Sequence, residues 1–522
     1  MPVVFRSRKA QAIALVAPLL IVCVPVVVHV APAAASVTCT ITGTSGDDVL
    51  SGTSGADVIC GMGGNDTIHG NGGDDIIYGD DPNDAAVTGN DTIYGDNGHD
   101  TIYGQAGTDT IYGDMGNGGT GVSDTISGGD GADTIFGDAG GDALNGDNGN
   151  DIIYGADGND IIDGGLGADF MAGGPGTDTV TYASRTNAVT VNFADNTNYN
   201  DGESGEGDQV DNTTENVIGG SGNDQLTGDL DGGQLDGGGG NDTLTAEGGI
   251  TVLLGGSGDD TFVGSVGGSS WVSYADHTTG VTATIPDSGT TTGNGESGEN
   301  DTIDANIDHL VGGSGDDHLI GNSSSNKLTG NDGNDTLDGN AGNDTLDGGS
   351  GIDALNGAAG NDALIGGDGN DALTGGTGND SYEGDAGTDT YTENSNEGTD
   401  TVTYADHTTT QLVNVTLDNT ANDGASGEGE NAGPNIESVI GGDGNDSLTG
   451  DTNANTLSGG PGVDTIQGGS GNDVINGGSG NDTLYGEDGN DTIDGGQGTA
   501  DTADGGIGTD SCVNAETTTN CE

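Results

Sequence analysis

The sequence predicts an all-β chain: a parallel β-solenoid built from nine-residue units, two units or 18 residues to each coil, in several arrays separated by three mutually similar β-rich cassettes. Three observations carry that prediction. A unit of nine residues recurs in register over most of the chain. Glycine supplies 110 of 522 residues, while only 30% are hydrophobic and 3% aromatic, too few to fill several compact cores. Acids outnumber bases 87 to 5, for a formal charge of −82. Such charge with such low hydrophobicity ordinarily means disorder, so it is the repeat that argues for a fold. A polyanion of this kind also repels phosphates, which excludes nucleic acid as a partner.

Residues 1–35 begin with Arg6, Arg8 and Lys9, continue through an apolar run from Ala10 to Val30, and reach Ala33, Ala34 and Ala35. That is the form of a secretory signal peptide cut before Ser36. A retained anchor is the alternative, since about 21 apolar residues can span a bilayer. Pro18 and Pro25 interrupt the run and small residues follow it, which favours cleavage. No second long apolar stretch follows, so the mature chain is expected to be extracellular and without a membrane span. Only Arg185 and Lys327 then remain as cations.

The first array, residues 36–180, reads GTSGADVIC, GMGGNDTIH and GNGGDDIIY, and later GGDGADTIF, GDAGGDALN and GDNGNDIIY. Glycine at positions one and four, and often two, is expected to provide positive φ and close backbone approach in a tight turn. Position eight is Ile, Leu, Val or Phe, flanked by Thr, Tyr, Asp or Ile at positions seven and nine, so a three-residue strand with one inward side chain should follow each six-residue turn. One strand cannot bury its aliphatic residue alone, but two per coil stacked on the coil below can, which pairs residue n with residue n + 18. About seven coils at the usual strand spacing give this array a length of roughly 34 Å. Insertions around Asp84 and between Asp114 and Asp124 should bulge as loops, with Asp91 and Asp124 resuming the register. The second array, 219–270, is degenerate; the third covers 312–391, the fourth 441–511, and residues 512–522 form a cysteine-containing cap.

Position six is the chemically informative one. It carries Asp48, Asp57, Asp66, Asp75, Asp91, Asp100, Asp109, Asp124, Asp133, Asp142, Asp151, Asp160 and Asp169 in the first array, and Asp224, Asp242 and Asp260 in the second. The third array adds Asp317, Asp335, Asp344, Asp353, Asp362, Asp371 and Asp380, and the fourth Asp446, Asp464, Asp473, Asp482 and Asp491. Stacked coils place these carboxylates in files, and such files demand cations between them. A single Asp-Gly turn would be read as a residue capping its own backbone; the files point instead to metal. Carboxylates and turn carbonyls are hard donors in a flexible arrangement, with no thiolate or imidazole in the unit, which selects Ca2+ over zinc, copper or Mg2+. About thirty ions at most would cancel about sixty of the negative charges. Where position six is Gly233, Thr251, Asn326 or Asn455, a weak or empty site is expected.

Units such as Gly237-Gly238-Gly239-Gly240-Asn241-Asp242-Thr243-Leu244 and Gly468-Gly469-Ser470-Gly471-Asn472-Asp473-Val474-Ile475 resemble the G-G-x-G-x-D-x-U-x nonapeptide of RTX-type, hemolysin-type calcium-binding β-rolls. The resemblance implies that the position-six Asp and turn carbonyls of successive coils share each ion. The N-terminal segment implies a general secretory route, whereas members of that family commonly use a C-terminal signal and a dedicated transporter. The cysteine-containing end resembles tails of secreted actinobacterial repeat proteins.

The three cassettes span 181–218, 271–311 and 392–440. They share Thr179-Val-Thr-Tyr-Ala, Trp271-Val-Ser-Tyr-Ala-Asp-His and Thr401-Val-Thr-Tyr-Ala-Asp-His, then an alternating stretch, then an acidic segment ending at Glu206, Glu299 or Glu428. Period-two alternation predicts strands, and longer β coils that extend each roll are the expected structure. The sharper alternative makes Asp201, Glu203, Glu206, Glu296, Glu299 and Glu428 a further calcium or sugar site. His277 and His407 recur at one cassette position, Ser184-Arg185 replaces the pair in the first, and surface histidines are expected.

Cys39, Cys60, Cys512 and Cys521 follow the signal segment. In an exported chain an even set oxidises, and of the three pairings Cys39–Cys60 with Cys512–Cys521 is the simplest. No H-E-x-x-H, G-x-S-x-G, phosphate loop with Lys or placed Cys-His pair occurs, and the repeats begin close behind the cleavage point, so no enzyme is expected. The sequence reading is therefore a secreted, non-enzymatic calcium binder. A calcium-stiffened adhesin or matrix component that contacts cell-surface or extracellular polysaccharide is the alternative. A polysaccharide-associated accessory role, which has no residue to point to, and ice binding rank below both; against ice binding, the position-three file holds Asp332, Ala341, Ser350, Ala359 and Asp368 before its first Thr377.

Overall fold

The computed structural model describes residues 36–114, 121–193, 200–393, 398–409 and 411–521. The signal segment with Cys23, the inner part of the second insertion (115–120), and cassette residues 194–199, 394–397 and 410 lie outside the described residues. Among those described there is no helix, about 48% of the chain is strand, and the backbone winds through about 26 turns of a parallel β-solenoid. The coil repeat is 18 residues: Ile135 pairs with Ile153 and Ile153 with Met171, and Leu346 pairs with Leu364. The two insertions stretch it without shifting the face. Ile68 meets Ile93 and Ile102 meets Ile126, so every position-eight side chain still points inward.

One side of the solenoid is a continuous 23-stranded sheet running from Ile41–Thr42 to Ser511–Val513. The opposite side is divided into sheets of 8, 13 and 6 strands. Between them lies a core one side chain thick, made of Ile68, Ile77, Ile93, Ile102 and their successors, all fully buried. Many strands extend beyond the three residues expected: Thr101–Ala106 and Thr345–Gly351 continue from the strand into the following turn, because turn backbones also pair coil to coil. Position-nine rings stack outside the core, with Tyr94 over Tyr112 at 4.9 Å and Tyr112 over Phe136 at 4.9 Å.

The glycine pattern divides differently from the sequence expectation. Positive φ belongs to positions two and four, as at Ala156 (76°) and Gly131 (150°). Position one does not need it. A Cβ on Gly104 would lie 2.5 Å from the Gly128 carbonyl oxygen and 2.6 Å from Asp109 Oδ2, so glycine is required there for space alone.

Each cassette is one oversized coil whose ends rejoin the long sheet: Thr179 pairs with Asn216, Trp271 with His309 and Thr401 with Ser438. Cys39 is bonded to Cys60 and Cys512 to Cys521, with Cα separations of 6.0 and 5.8 Å, so each bond ties an end coil.

Candidate metal centre

The six-residue turn delivers its aspartate to the inner edge of the coil, and stacking fixes one of its two oxygens. Asp133 donates its backbone N–H to Asp151 Oδ1 at 2.7 Å, Asp151 donates to Asp169 Oδ1 at 2.8 Å, and the same bond recurs from Asp335 to Asp353 and from Asp473 to Asp491. The second oxygen has no such partner. Oδ2 is buried without a hydrogen bond at every predicted position-six aspartate except Asp48, Asp57, Asp224, Asp317 and Asp446. A buried carboxylate oxygen left unpaired is costly, and here the arrangement is repeated coil after coil.

Electrostatics sharpen the point. Burial, and then the like charges of neighbouring coils, push Asp109, Asp124, Asp151 and Asp242 up to about 8. Asp91, Asp100, Asp335 and Asp464 rise to about 7 for the same reasons. In most units the unpaired Oδ2 shares its space with a glycine carbonyl of the next coil, as Asp109 does with Gly128 beside the bare Cα of Gly104. Orphaned carboxylate oxygens, backbone carbonyls and no soft ligand fit a hard divalent cation of calcium's kind.

The five exceptions share a cause. Asp48 Oδ2 accepts the N–H of Thr44 at 2.6 Å, Asp57 that of Thr53 at 2.6 Å, Asp224 that of Gly220 at 2.7 Å, Asp317 that of Gly313 at 2.6 Å and Asp446 that of Gly442 at 3.0 Å. These acids lie in the first turns of their arrays, and they cap their own backbone. Asn326 and Asn455 do likewise, accepting from Asn322 and Asp451.

The files contain acids that the sequence reading omitted. Asp178, Asp389, Asp501 and Asp510 are buried with unpaired Oδ2, and Asp400 is buried with its Oδ1 accepting from Asp380 N–H. Continuing the Gly-x-Asp spacing finds Asp178, Asp389, Asp400 and Asp510; Asp501 follows one extra residue after Gly498. Inside the cassettes Asp208 and Asp301 take the position, accepting from Asp169 and Asp260, and Glu430 is buried at the corresponding place. Their signal is the acid two residues beyond Glu206, Glu299 or Glu428. At Asp208 and Asp301 the second oxygen is bonded, Tyr182 donating to Asp208 Oδ2 at 3.2 Å and Tyr274 to Asp301 Oδ2 at 3.1 Å; Tyr404 donates to Glu430 Oε2, while Glu430 Oε1 is buried without a hydrogen bond.

The cassette histidines are not surface residues: His277 is 8% and His407 3% exposed. Each sits edge-on to a cassette tyrosine, at 5.3 Å from Tyr274 and 5.4 Å from Tyr404. His277 lies 3.0 Å from Asp276 and 3.3 Å from Glu299, and His407 lies 2.9 Å from Asp406 and 3.2 Å from Glu428. The Asp276 hydrogen bond, with Glu299 behind it, raises His277 to about 9; at His407 burial pulls downward and is outweighed by Asp406 and Glu428. Arg185, 8% exposed, occupies the same place in the first cassette, 3.6 Å from Glu206. Thus Glu206 faces the buried Arg185, and Glu299 and Glu428 face buried histidines whose protonation they favour. Asp201 accepts from Asn192 and Val210, so it too has protein partners.

The family model described as the RTX calcium-binding nonapeptide repeat matches the chain in overlapping blocks over residues 40–84, 86–180, 211–268, 302–391 and 432–500, more than half of its length. No individual curated protein matches the chain significantly.

Proposed function

The chain belongs to the RTX calcium-binding nonapeptide repeat family, and from that premise we propose that it is a secreted, non-enzymatic calcium-binding protein whose coils fold as the ions enter. The observation that carries this reading is the file of buried Oδ2 atoms without partners. We assign ion binding to the position-six acids that own those atoms, from Asp66 to Asp169, at Asp242 and Asp260, from Asp335 to Asp380 and from Asp464 to Asp491, together with Asp178, Asp389, Asp400, Asp501 and Asp510. Asp48, Asp57, Asp224, Asp317 and Asp446 act as turn caps.

Bound calcium supplies the positive charge that holds carboxylates of adjacent coils together. The chain's own groups prepare the site: Oδ1 is tied by an N–H from the preceding coil, which leaves Oδ2 facing inward, and position-one glycine keeps that space open. Without the ion, carboxylate repulsion and burial oppose the fold. The absence of catalytic motifs from the sequence and the engagement of acids in structural bonds support the non-enzymatic reading, and the N-terminal signal-like segment supports export. The test is circular dichroism of the mature chain with calcium, magnesium or chelator. A β spectrum that appears with calcium, weakly with magnesium and not in chelator is expected; a β spectrum unchanged by chelation at neutral pH would overturn the proposal.

The continuous 23-stranded sheet favours a second role for the same calcium binding. At about 4.8 Å per strand it forms a rod of about 110 Å, the dimension of a stiff spacer. Retention of labelled protein on cells or extracellular polysaccharide in calcium, and its release by chelator, would identify an adhesive or matrix component.

A further inference from the structure

At two successive units the file departs from its usual pattern, with a glutamate oxygen beside Gly375 (from Glu393) and beside Gly384 (from Glu430), and around Glu393 it gathers a third acid. Glu393 occupies position one of its unit, where glycine stands in most other units. In most other units the space beside a position-one glycine is shared by an Asp Oδ2 and a glycine carbonyl of the next coil; at Gly357 these are Asp362 Oδ2 and the Gly375 carbonyl. One coil further, the space beside Gly375 is shared by Asp380 Oδ2 and Glu393 Oε1, each 2.5 Å from where a Cβ would sit. A carboxylate has taken the place of a carbonyl.

Asp380, Glu393 and Asp400 each bring one ligand oxygen within 4.8 Å of the other two. Asp380 is 2% exposed and its Oδ2 has no hydrogen-bond partner, while Asp400 is likewise buried. Position-eight Tyr382 accepts the Gly375 N–H at 2.8 Å and donates its hydroxyl proton to Glu393 Oε1, and Asn435 holds the Glu393 carbonyl at 3.0 Å. The glutamate is therefore aimed into the file from both ends. Among the described residues one other acidic trio is as close, Glu383, Asp385 and Asp406, but those three are partly exposed and no orphaned buried atom points at them.

We infer that Asp380, Glu393 and Asp400 form a three-carboxylate cation site, set apart from the ordinary carboxylate-and-carbonyl sites of the array. Calcium affinity rises with the number of charged ligands, and a third carboxylate favours a trivalent ion still more. The site should fill first on titration and should take a lanthanide in preference to the ordinary carboxylate-and-carbonyl coils. This inference rests on the calcium reading of the files.

Terbium is the probe, because an ion bound against Glu393 lies beside the phenol of Tyr382 and its emission is excited through that ring. Terbium is titrated into the full mature chain, calcium content is measured separately on the same protein, and circular dichroism in calcium checks each variant's fold. In the wild type an early, tyrosine-excited phase is expected. Glu393→Gln, and Glu393→Gly which restores the usual residue, should raise the midpoint of that phase on the order of tenfold, about 1.4 kcal/mol. Tyr382→Phe should dim the emission and leave the midpoint in place. If the glycine variant does not fold, the isosteric glutamine variant decides. An early phase unmoved by the Glu393 variants, in a chain that still binds calcium throughout, overturns this inference alone. A chain that binds no calcium overturns the calcium reading with it.

Discussion

Exchanging one oxygen of Asp151 separates ion binding from turn capping. In Asp151→Asn the Oδ1 that accepts the Asp133 N–H is retained, while the unpaired Oδ2, 2.6 Å from where a Cβ on Gly146 would sit, becomes an NH2 group pointing at the ion position. On the proposed assignment the change therefore removes a calcium ligand and little else. At about 10 mM calcium, with a dissociation constant of about 0.1–1 mM, one bound ion contributes about 1.4–2.7 kcal/mol. Loss of that ion should speed amide hydrogen exchange about 10- to 100-fold in the strands Ala143–Asn148, Ile152–Asp157 and Phe170–Ala172 of the full chain. In chelator the sign should reverse, because asparagine removes a carboxyl that burial and the charges of Asp169, Asp133 and Asp147 have pushed up to about 8. Asp446→Asn is the control. It loses the cap on Gly442 and should cost about 0.5–2 kcal/mol with or without calcium. Equal acceleration by Asp151→Asn in calcium and in chelator would refute the reasoning.

Other outcomes follow from the same geometry. In the calcium-free protein the acids of the files hold protons that the unfolded chain releases near pH 4, since Asp75 is raised to about 6, Asp91 to about 7 and Asp109 to about 8. Stability from these groups is present at low pH and lost as pH rises through about 6 to 8, so chelated protein should gain β signal in circular dichroism on acidification from pH 8 to 5. Gly131→Ala should cost about 1–3 kcal/mol from its φ of 150° alone, and more from the Gly107 carbonyl in the way of its Cβ, whereas Ala156→Gly should relieve about 1 kcal/mol; thermal melts in calcium compare them. Cys39→Ser with Cys60→Ser opens a loop of sequence separation 21 and should loosen the first coils by about 3 kcal/mol, read as faster exchange at Ile41–Thr42 and Val58–Cys60.

The solenoid was legible because one unit is written many times: an inward Ile or Leu at position eight and an Asp at position six mean little once and much in register. What the unit cannot express is its neighbour. Asp224 and Asp242 stand in nearly the same sequence, Gly-Ser-Gly-Asn-Asp and Gly-Gly-Gly-Asn-Asp, yet Asp224 caps its turn and Asp242 leaves an oxygen bare. The difference lies in the preceding coil: the partner of Asp242 is the Asp224 N–H of an ordinary turn, while that of Asp224 is Val189 inside a cassette. Distance in sequence hid the rest. Asp208 stacks on Asp169 across 39 residues, and the buried state of His277 depends on Glu299, 22 residues away, closing over it. Glycine at positions one and two looks alike in a string of letters, although one position needs room and the other a left-handed backbone.

The cassettes then acquire a physical role that composition alone does not suggest. In the arrays the second oxygen of most position-six acids is bare, but at Asp208 and Asp301 it is satisfied by Tyr182 and Tyr274. Beside those pairs Arg185 and His277 stand against Glu206 and Glu299, so positive charge is supplied by the chain itself, and His407, raised by Asp406 and Glu428, stands against Glu428. Calcium depletion therefore removes the counter-charge from array coils and leaves that of the cassettes in place. Immediately after chelation at neutral pH, amide exchange should be fastest in array strands such as Thr134–Ala139 and Ala354–Ala359, and slower in Thr179–Thr181, Asn216–Ile218, Ser269–Ser273 and His309–Val311, where the cassettes rejoin the long sheet. His277→Gln should erase the difference at Ser269–Ser273 and leave Thr179–Thr181, backed by Arg185, protected. Cassette strands that exchange as fast as array strands in the wild type would show that calcium, and not these tyrosine and cation pairs, holds the oversized coils in register.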